Sequence, residues 1–292
     1  MRHTARLLLS LCVICALCLG ALAEGAVETP AYTVKLKEKG TVYESDSLKY
    51  TIDVYLVNGT KCYLSRVWMQ DPGKQIRKST AQWHKALGKA EDLAKKIKGA
   101  ALVVNGSGYV TKVYPEIPEN YPGVSEDYFY TPLGSLTITD GEIFRNLEGV
   151  PYYGLTLEAD GLHMYVGEDN ETVLSHNPTQ TWSFYEGCPL IRDGKSILNE
   201  NWDFAQRRAI RTIIAKLDDH TYLLLTATSS HGFSLIEAVD YLIGEYAPEW
   251  AYNLDGGPSS ALLRRKQGKK TLKLIYGAGQ KIVDMMGFVE LE

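Results

Sequence analysis

Two short apolar runs, each ending abruptly in a glycine-rich polar turn, constrain this chain more than any other feature. Ala100–Val104 leads into Asn105-Gly-Ser-Gly-Tyr109, and Trp250–Leu254 leads into Asp255-Gly-Gly-Pro-Ser-Ser260. Strands that are apolar throughout are usually covered on both faces, so both runs belong inside a layered fold. Each follows a segment with helical spacing of apolar residues. If the two strands run parallel in one sheet, their polar turns emerge at one edge, where clefts form in open α/β sheets.

The second turn carries the stronger chemical signal. Gly256 and Gly257 lack Cβ atoms and allow positive φ, so successive N–H groups can line an anion-binding concavity. Asp255 stands beside it as an acid, base or nucleophile. The plainer alternative is a tight turn whose aspartate accepts bonds from its own backbone. Asn105 and Asn253 can orient a substrate hydroxyl or brace the turns. Ser259 and Ser260 can meet phosphate oxygens or cap a following helical turn. Arg211, opening a strand, can grip a phosphate or carboxylate with two parallel N–H bonds, or lie on the surface.

Glu186, in Glu186-Gly-Cys-Pro189, places a second acid before a strand, and two carboxylates at a sugar site permit acid/base or nucleophilic work. His231 is the mature histidine flanked by small polar residues, with a decorative loop position as the alternative. There is no G-x-S-x-G elbow, and the six histidines are scattered, so a peptide hydrolase is disfavoured.

The rest of the chain reads as hairpins with a few helices. Tyr32–Tyr63 is rich in Val, Thr, Tyr and Ile, with an Asn58-Gly59 turn before Lys61–Trp68. Further hairpins are expected around Asp140-Gly141, Asp160-Gly161, Asp193-Gly194 and Asp218-Asp219-His220. Helical spacing over Trp83–Lys98 predicts a helix stopped by Gly99, and Ser234 with Glu237 forms a capping box for a helix ended by Pro248. Between Tyr109 and Pro132, prolines alternate with aromatics that can stack on sugars or pin a long loop. The fold class is therefore α+β: mixed, mostly antiparallel sheets with a few packed helices in a single domain.

Composition narrows the partners. With 45% hydrophobic and 23% charged residues, the chain has material for a sizeable core. Residues 1–23 carry Arg2 and Arg6, the apolar run Leu7–Leu19 and Ala21-Leu-Ala23, the pattern of a secretory signal peptide. Its removal shifts the formal charge from −4 to −6 and leaves no long basic tract. Nucleic acid is thus disfavoured, as is stable membrane insertion after signal removal. Residues 24–31 read as a leader, and 32–292 as the domain of a secreted, extracytoplasmic protein. Cys62 and Cys188 remain after processing, able to bridge or to stay as buried thiols. Neither their pairing nor their spacing suggests a metal site, and no cofactor is expected.

Taken together, the motifs resemble the phosphodiester glycosidase family, whose bacterial members include exopolysaccharide-associated proteins. Asn253-Leu-Asp-Gly-Gly-Pro-Ser-Ser260 is similar to the family's Asn-Leu-Asp-Gly-Gly-Gly-Ser-Ser, with Pro258 in place of the third glycine. Val104-Asn-Gly-Ser-Gly-Tyr109, including Gly106, resembles its Asn-Gly-Gly-Phe turn. Gly187–Gly194 resembles its Gly-Pro-x-Leu-Val-x-Asp-Gly pattern with Cys188 inserted. Arg211-Thr212 and Gly232-Phe-Ser-Leu235 resemble its strand and helix starts. The order holds over roughly residues 60–265. The resemblance implies hydrolysis of sugar-1-phosphodiesters at the anomeric carbon, with Asp255 as the carboxylate and Arg211 and the N–H groups near Gly256–Gly257 stabilising the anion. Glu186 stands as a further candidate acid, and Asn105, Gly106, Thr212, His231, Asn253, Ser259 and Ser260 as candidates for holding a carbohydrate or sugar phosphate. The competing class is a non-catalytic glycan-binding or exopolysaccharide-assembly protein of the same fold.

Overall fold

The computed structural model describes residues 32–111, 129–228, 231–277 and 279–291. The signal and leader segments and most of the proline-rich loop lie outside them. The first half of the chain forms strands β1 (Val34–Glu44), β2 (Leu48–Val57), β3 (Thr60–Met69), β4 (Ile76–Thr80), β5 (Ala100–Asn105), β6 (Leu136–Thr139) and β7 (Glu142–Asn146). Next come β8 (Tyr152–Leu157), β9 (Leu162–Glu168), β10 (Gln180–Ser183), β11 (Pro189–Arg192) and β12 (Lys195–Ser196). The remaining strands are β13 (Arg211–Lys216), β14 (Thr221–Ala227), β15 (Trp250–Asn253), β16 (Ala261–Arg265), β17 (Leu272–Gly277) and β18 (Asp284–Val289). Between them lie α1 (Pro72–Gln75), α2 (Ala90–Lys96), α3 (Asn170–Ser175), α4 (Asp203–Gln206) and α5 (Leu235–Tyr246).

Two large sheets make the body. One has the order β1-β2-β3-β14-β13-β15-β11-β12, the other β17-β16-β5-β18-β4, and smaller sheets β10-β8-β9 and β6-β7 complete the fold. Neighbouring strands pair antiparallel, for example Ile213 with Asn253 and Val104 with Leu262. The α+β expectation is met, with more strand than helix.

Alternation along the strands sorts side chains between layers. On β13, Ile214 points with Tyr252 and Leu224 toward Leu102, Val104 and Phe288 of the second sheet. Ile213 and Ala215 point the other way, onto Leu235, Val239 and Leu242 of α5. Val103, Leu263 and Met285 on the outer face of the second sheet meet Leu93, Ala94 and Ile97 around α2. All six residues of β5 are therefore buried, as its unbroken apolar sequence requires.

The expected hairpins form around Asn58-Gly59, Asp140-Gly141, Asp160-Gly161, Asp193-Gly194 and Asp218-Asp219-His220. Helix α5 carries the full capping box, in which Ser234 Oγ accepts from Glu237 N–H and Glu237 accepts from Ser234 N–H. It ends at Ala247 in the left-handed conformation, just before Pro248.

Three expectations need correction. The helix expected over Trp83–Lys98 is confined to Ala90–Lys96, because Gly88 pairs with Ile282 and draws the preceding residues into a bridge and turn. The two apolar strands do not share a sheet: β5 and β15 sit in different ones, and their turns meet across the interface between layers. Cys62 and Cys188 are both free and buried. They belong to clusters on opposite faces of the eight-stranded sheet, so no bridge can join them.

Among the described residues, no helix is long and apolar enough to cross a membrane. Burial pushes both thiols up to about 12, so neither offers a thiolate to a reagent at neutral pH. Native protein without its signal segment is expected to resist alkylation at pH 8 and to expose both thiols on unfolding. A reductant is expected to leave its melting temperature unchanged, whereas loss of a bridge lowers stability by about 2–4 kcal/mol.

Candidate active site

The site begins with a buried amide. Asn105, the last residue of β5, donates through Nδ2 to Asp255 O (2.6 Å). Its Oδ1 accepts from Thr212 Oγ1 (2.9 Å) and from Ala261 N (3.0 Å). Asp255 N in turn donates to Gly106 O (3.0 Å). The two glycine turns thus grip each other, and Asn105 braces them instead of facing a ligand. Thr212 and Ser260 share this role, their hydroxyl oxygens 3.0 Å apart.

Asp284 supports the first turn from behind. Its carboxylate accepts from Ser107 N (2.7 Å) and Ser107 Oγ (2.8 Å), and it pairs with Lys78 Nζ (3.2 Å). A Cβ on Gly106 would lie 2.1 Å from Asp284 Oδ1, so only glycine fits there. Burial holds the Lys78 ammonium below the usual lysine range, although Asp284 opposes the shift. Asn253 is wholly buried beside Cys188, its Nδ2 3.7 Å from the sulfur, and does not line the cleft.

In front of these turns lies a cleft of about 570 Å³, the size of a small-ligand site. Asp255, Gly256, Gly257 and Ser259 form one wall, and Arg211 with Ile210 adjoins them. Glu186 enters from the loop before β11. Phe184, Tyr185, Trp202 and Phe204 make an aromatic side, with ring centroids 4.2 Å apart for Phe184–Tyr185 and 4.7 Å for Trp202–Phe204. Tyr109, Gln280, Asp203 and Arg207 complete much of the rim.

Asp255 and Glu186 therefore face one space. Asn105, Gly106, Thr212, Asn253 and Ser260 build the turns behind it, and His231 lies on an exposed loop outside it. The expected anion-binding concavity is absent, because the turn consumes its own donors. Gly256 N–H bonds to Asp255 Oδ1 (2.8 Å), and Gly257 N–H bonds to Ile210 O (2.8 Å). Ser259 and Ser260 donate to Gly256 O and Gly257 O, and Pro258 has no N–H. The left-handed φ of 55° at Gly257 serves this closure.

Arg211 also differs from a free fork. Its Nε donates to Phe233 O (3.2 Å), and Nη2 donates to Phe204 O and Arg207 O (both 2.7 Å). The guanidinium lies 4.2 Å from the Phe204 ring centroid. Burial lowers it to about 10. Bonded to carbonyls and a π face, it brings a positive charge to the wall and forms no ion pair among the described residues. Arg207 is exposed above the same ring, 5.6 Å from its centroid.

The aromatic side and Arg207 escaped the sequence reading. Trp202 caps, and Phe204 lies within, a four-residue helix with no periodicity to flag it. The one available signal was the density of aromatic residues and arginines between Phe184 and Arg211.

Burial pushes the Asp255 carboxyl up to about 7, despite opposing bonds from Ser259 and Gly256; the negative charge of Asp284 adds to the rise. A carboxyl so placed exchanges its proton near neutrality, as acid/base catalysis needs.

The sequence profile of the phosphodiester glycosidase family matches residues 98–289. The chain belongs to the phosphodiester glycosidase family. Membership places it in a family of hydrolases whose substrates are carbohydrates. No curated protein sequence matches it. Among solved structures it is similar to the zebrafish N-acetylglucosamine-1-phosphodiester alpha-N-acetylglucosaminidase catalytic domain, auto-inhibited by its pro-peptide. That likeness has 17% identity and a TM-score of 0.62, covering 89% of this chain and 88% of that one. A hypothetical protein from Synechocystis is also similar, with 12% identity and a TM-score of 0.54 over 86% of this chain and 64% of that one. At such identities the likeness concerns the fold.

Two outcomes follow for this family member. Asn105→Ala strands the Ala261 N–H and the Asp255 carbonyl and is expected to cost about 3 kcal/mol in denaturant unfolding. Asp255 binds its proton more tightly folded than unfolded, so between pH 4 and pH 7 the native state holds more protons and loses stability as pH rises. Asp255→Asn removes that dependence. Its melting temperature is expected to gain on wild type as pH goes from 4 to 8, and a pH-independent difference would show that the carboxyl is not displaced.

Proposed function

We propose that this protein hydrolyses sugar-1-phosphodiesters at the anomeric carbon, using the cleft between the Asp255 turn and α4. The observation that carries the reading is an Arg211 charge with no ion pair among the described residues and a carboxyl titrating near pH 7 in one aromatic-sided cleft. The aromatic side suits the apolar face of a sugar ring. Arg211 and Arg207 suit the phosphodiester anion, through charge at the first and open N–H donors at the second. Phosphate leaves readily, so the site needs charge stabilisation more than a strong general acid.

In the proposed reaction, water adds to the anomeric carbon as the bond to the phosphate oxygen breaks. Asp255 in its ionised form accepts the water proton, and the phosphate monoester departs with the bonding electrons against Arg211 and Arg207. Glu186 supplies the second carboxylate, opposite the positive charge that develops at the sugar. Action outside the cytoplasm, following export by the Arg2–Ala23 segment, belongs to the same proposal.

A panel of sugar-1-phosphodiesters tests it. Wild type is expected to release sugar with kcat/KM rising with pH through a midpoint near 7. Asp255→Asn is expected to stay folded while turnover falls about 10²–10⁴-fold, and Arg207→Ala to raise KM chiefly for substrates held through phosphate. A folded, fully active Asp255→Asn variant removes Asp255 from the catalytic role and leaves Glu186 to be tested. Saturable binding across the panel with no sugar released would instead identify a glycan-binding protein.

A further inference from the structure

Three side chains of metal-binding type converge in the β8–β9 hairpin, and a fourth, at the end of α3, approaches one of them. Glu158 and Asp160 lie in the hairpin turn, His163 lies on β9, and His176 is the C-cap residue of α3. None of them lines the cleft. The donor atoms of Glu158, Asp160 and His163 all lie within 4.8 Å of one another.

The spacings are those of a cage more than of an ion-pair network. His163 Nε2 is 2.7 Å from Asp160 Oδ1, an ordinary hydrogen bond. The same nitrogen is 3.8 Å from Glu158 Oε2, and His176 Nδ1 is also 3.8 Å from that oxygen. Both longer separations exceed hydrogen-bond range. They are close to the roughly 3.4 Å between two donors each about 2.1 Å from one tetrahedral ion.

A second observation points the same way. The Glu158 side chain is only 8% exposed, yet its Oε2 is directed between two imidazoles that stand off from it. Its other oxygen is fixed by Thr156 Oγ1 (2.7 Å) and the Tyr165 hydroxyl (2.8 Å). The Tyr165 ring also packs against His176, with centroids 6.0 Å apart. Such outer hydrogen bonds and packing orient carboxylate and imidazole ligands toward a metal.

We propose that Glu158, Asp160 and His163 bind one divalent transition-metal ion of the zinc class, with His176 turning in from the end of α3 as the fourth donor. Two imidazole nitrogens with two carboxylate oxygens suit zinc, whereas calcium and magnesium favour all-oxygen shells. On binding, His163 gives up its hydrogen bond to Asp160 and presents the Nε2 lone pair, its proton residing on Nδ1. The ion joins the hairpin to α3, so its effect is structural and independent of turnover.

Untagged protein, stripped with chelator and titrated with zinc chloride, tests the assignment. One zinc per chain is expected by calorimetry and by elemental analysis after desalting, with a melting temperature that rises and falls back on adding EDTA. Cobalt in place of zinc is expected to give the visible absorption of a tetrahedral site. His163→Gln and His176→Gln alter a half-buried and an exposed position and are each expected to weaken zinc binding at least about tenfold, with the circular dichroism spectrum unchanged. Asp160→Asn, at a 76% exposed side chain, gives the same check should either histidine variant fold poorly. Failure to bind one zinc per chain, or unaltered affinity in a folded His163→Gln/His176→Gln double variant, overturns the proposal.

Discussion

The Asn105 carboxamide is buried where two sheets abut, and its hydrogen bonds form only when both are in place. It reaches the Asp255 carbonyl, the Thr212 hydroxyl and the Ala261 N–H, groups from three separate stretches of chain. An amide suits this position because it presents donor and acceptor together on a short side chain. A carboxylate could not donate to the Asp255 carbonyl, and an apolar residue would leave buried groups unpaired. The fit of β5 against the Asp255 turn thus fixes where the cleft can open.

Behind that amide, Asp284 and Lys78 form a buried ion pair with both side chains fully enclosed. Such a pair loses much of its attraction to desolvation, so its contribution to stability is small. Its value here is positional. The Asp284 carboxylate holds the Ser107 backbone and hydroxyl, while its charge helps keep a proton on Asp255. A structural carboxylate thereby tunes a candidate catalytic one. The Lys78 ammonium also lies 5.4 Å from the ring centroids of both Trp83 and Trp182.

Local chemistry was legible in the sequence wherever it was self-contained. Asn58-Gly59 and Asp193-Gly194 place residues of left-handed φ at hairpin turns, and the Ser234–Glu237 pair encloses a helix start within four residues. Asp255 and Glu186, both singled out by their motifs, line one cleft although they come from separate parts of the chain. What stayed hidden depended on partners distant in sequence. Helical spacing over Trp83–Lys98 yielded at its start to the pairing of Gly88 with Ile282. The glycine N–H groups turned inward because Ile210 and Asp255 supplied acceptors. Arg211 spent its donors on carbonyls of α4 and the loop before α5, a geometry no motif encodes.

The separation of partners along the chain also bears on how the molecule is made. The bond from Asn105 to Asp255 spans 150 residues, and those from Ser107 to Asp284 span 177. Contacts this remote must wait for closure of very long loops and lie among the slower steps of folding. A chain emerging residue by residue has no cleft until β16 and β18 have been synthesised and laid beside β5. Any activity of the cleft is accordingly withheld from partial products of synthesis and switched on only by completion of the sheet.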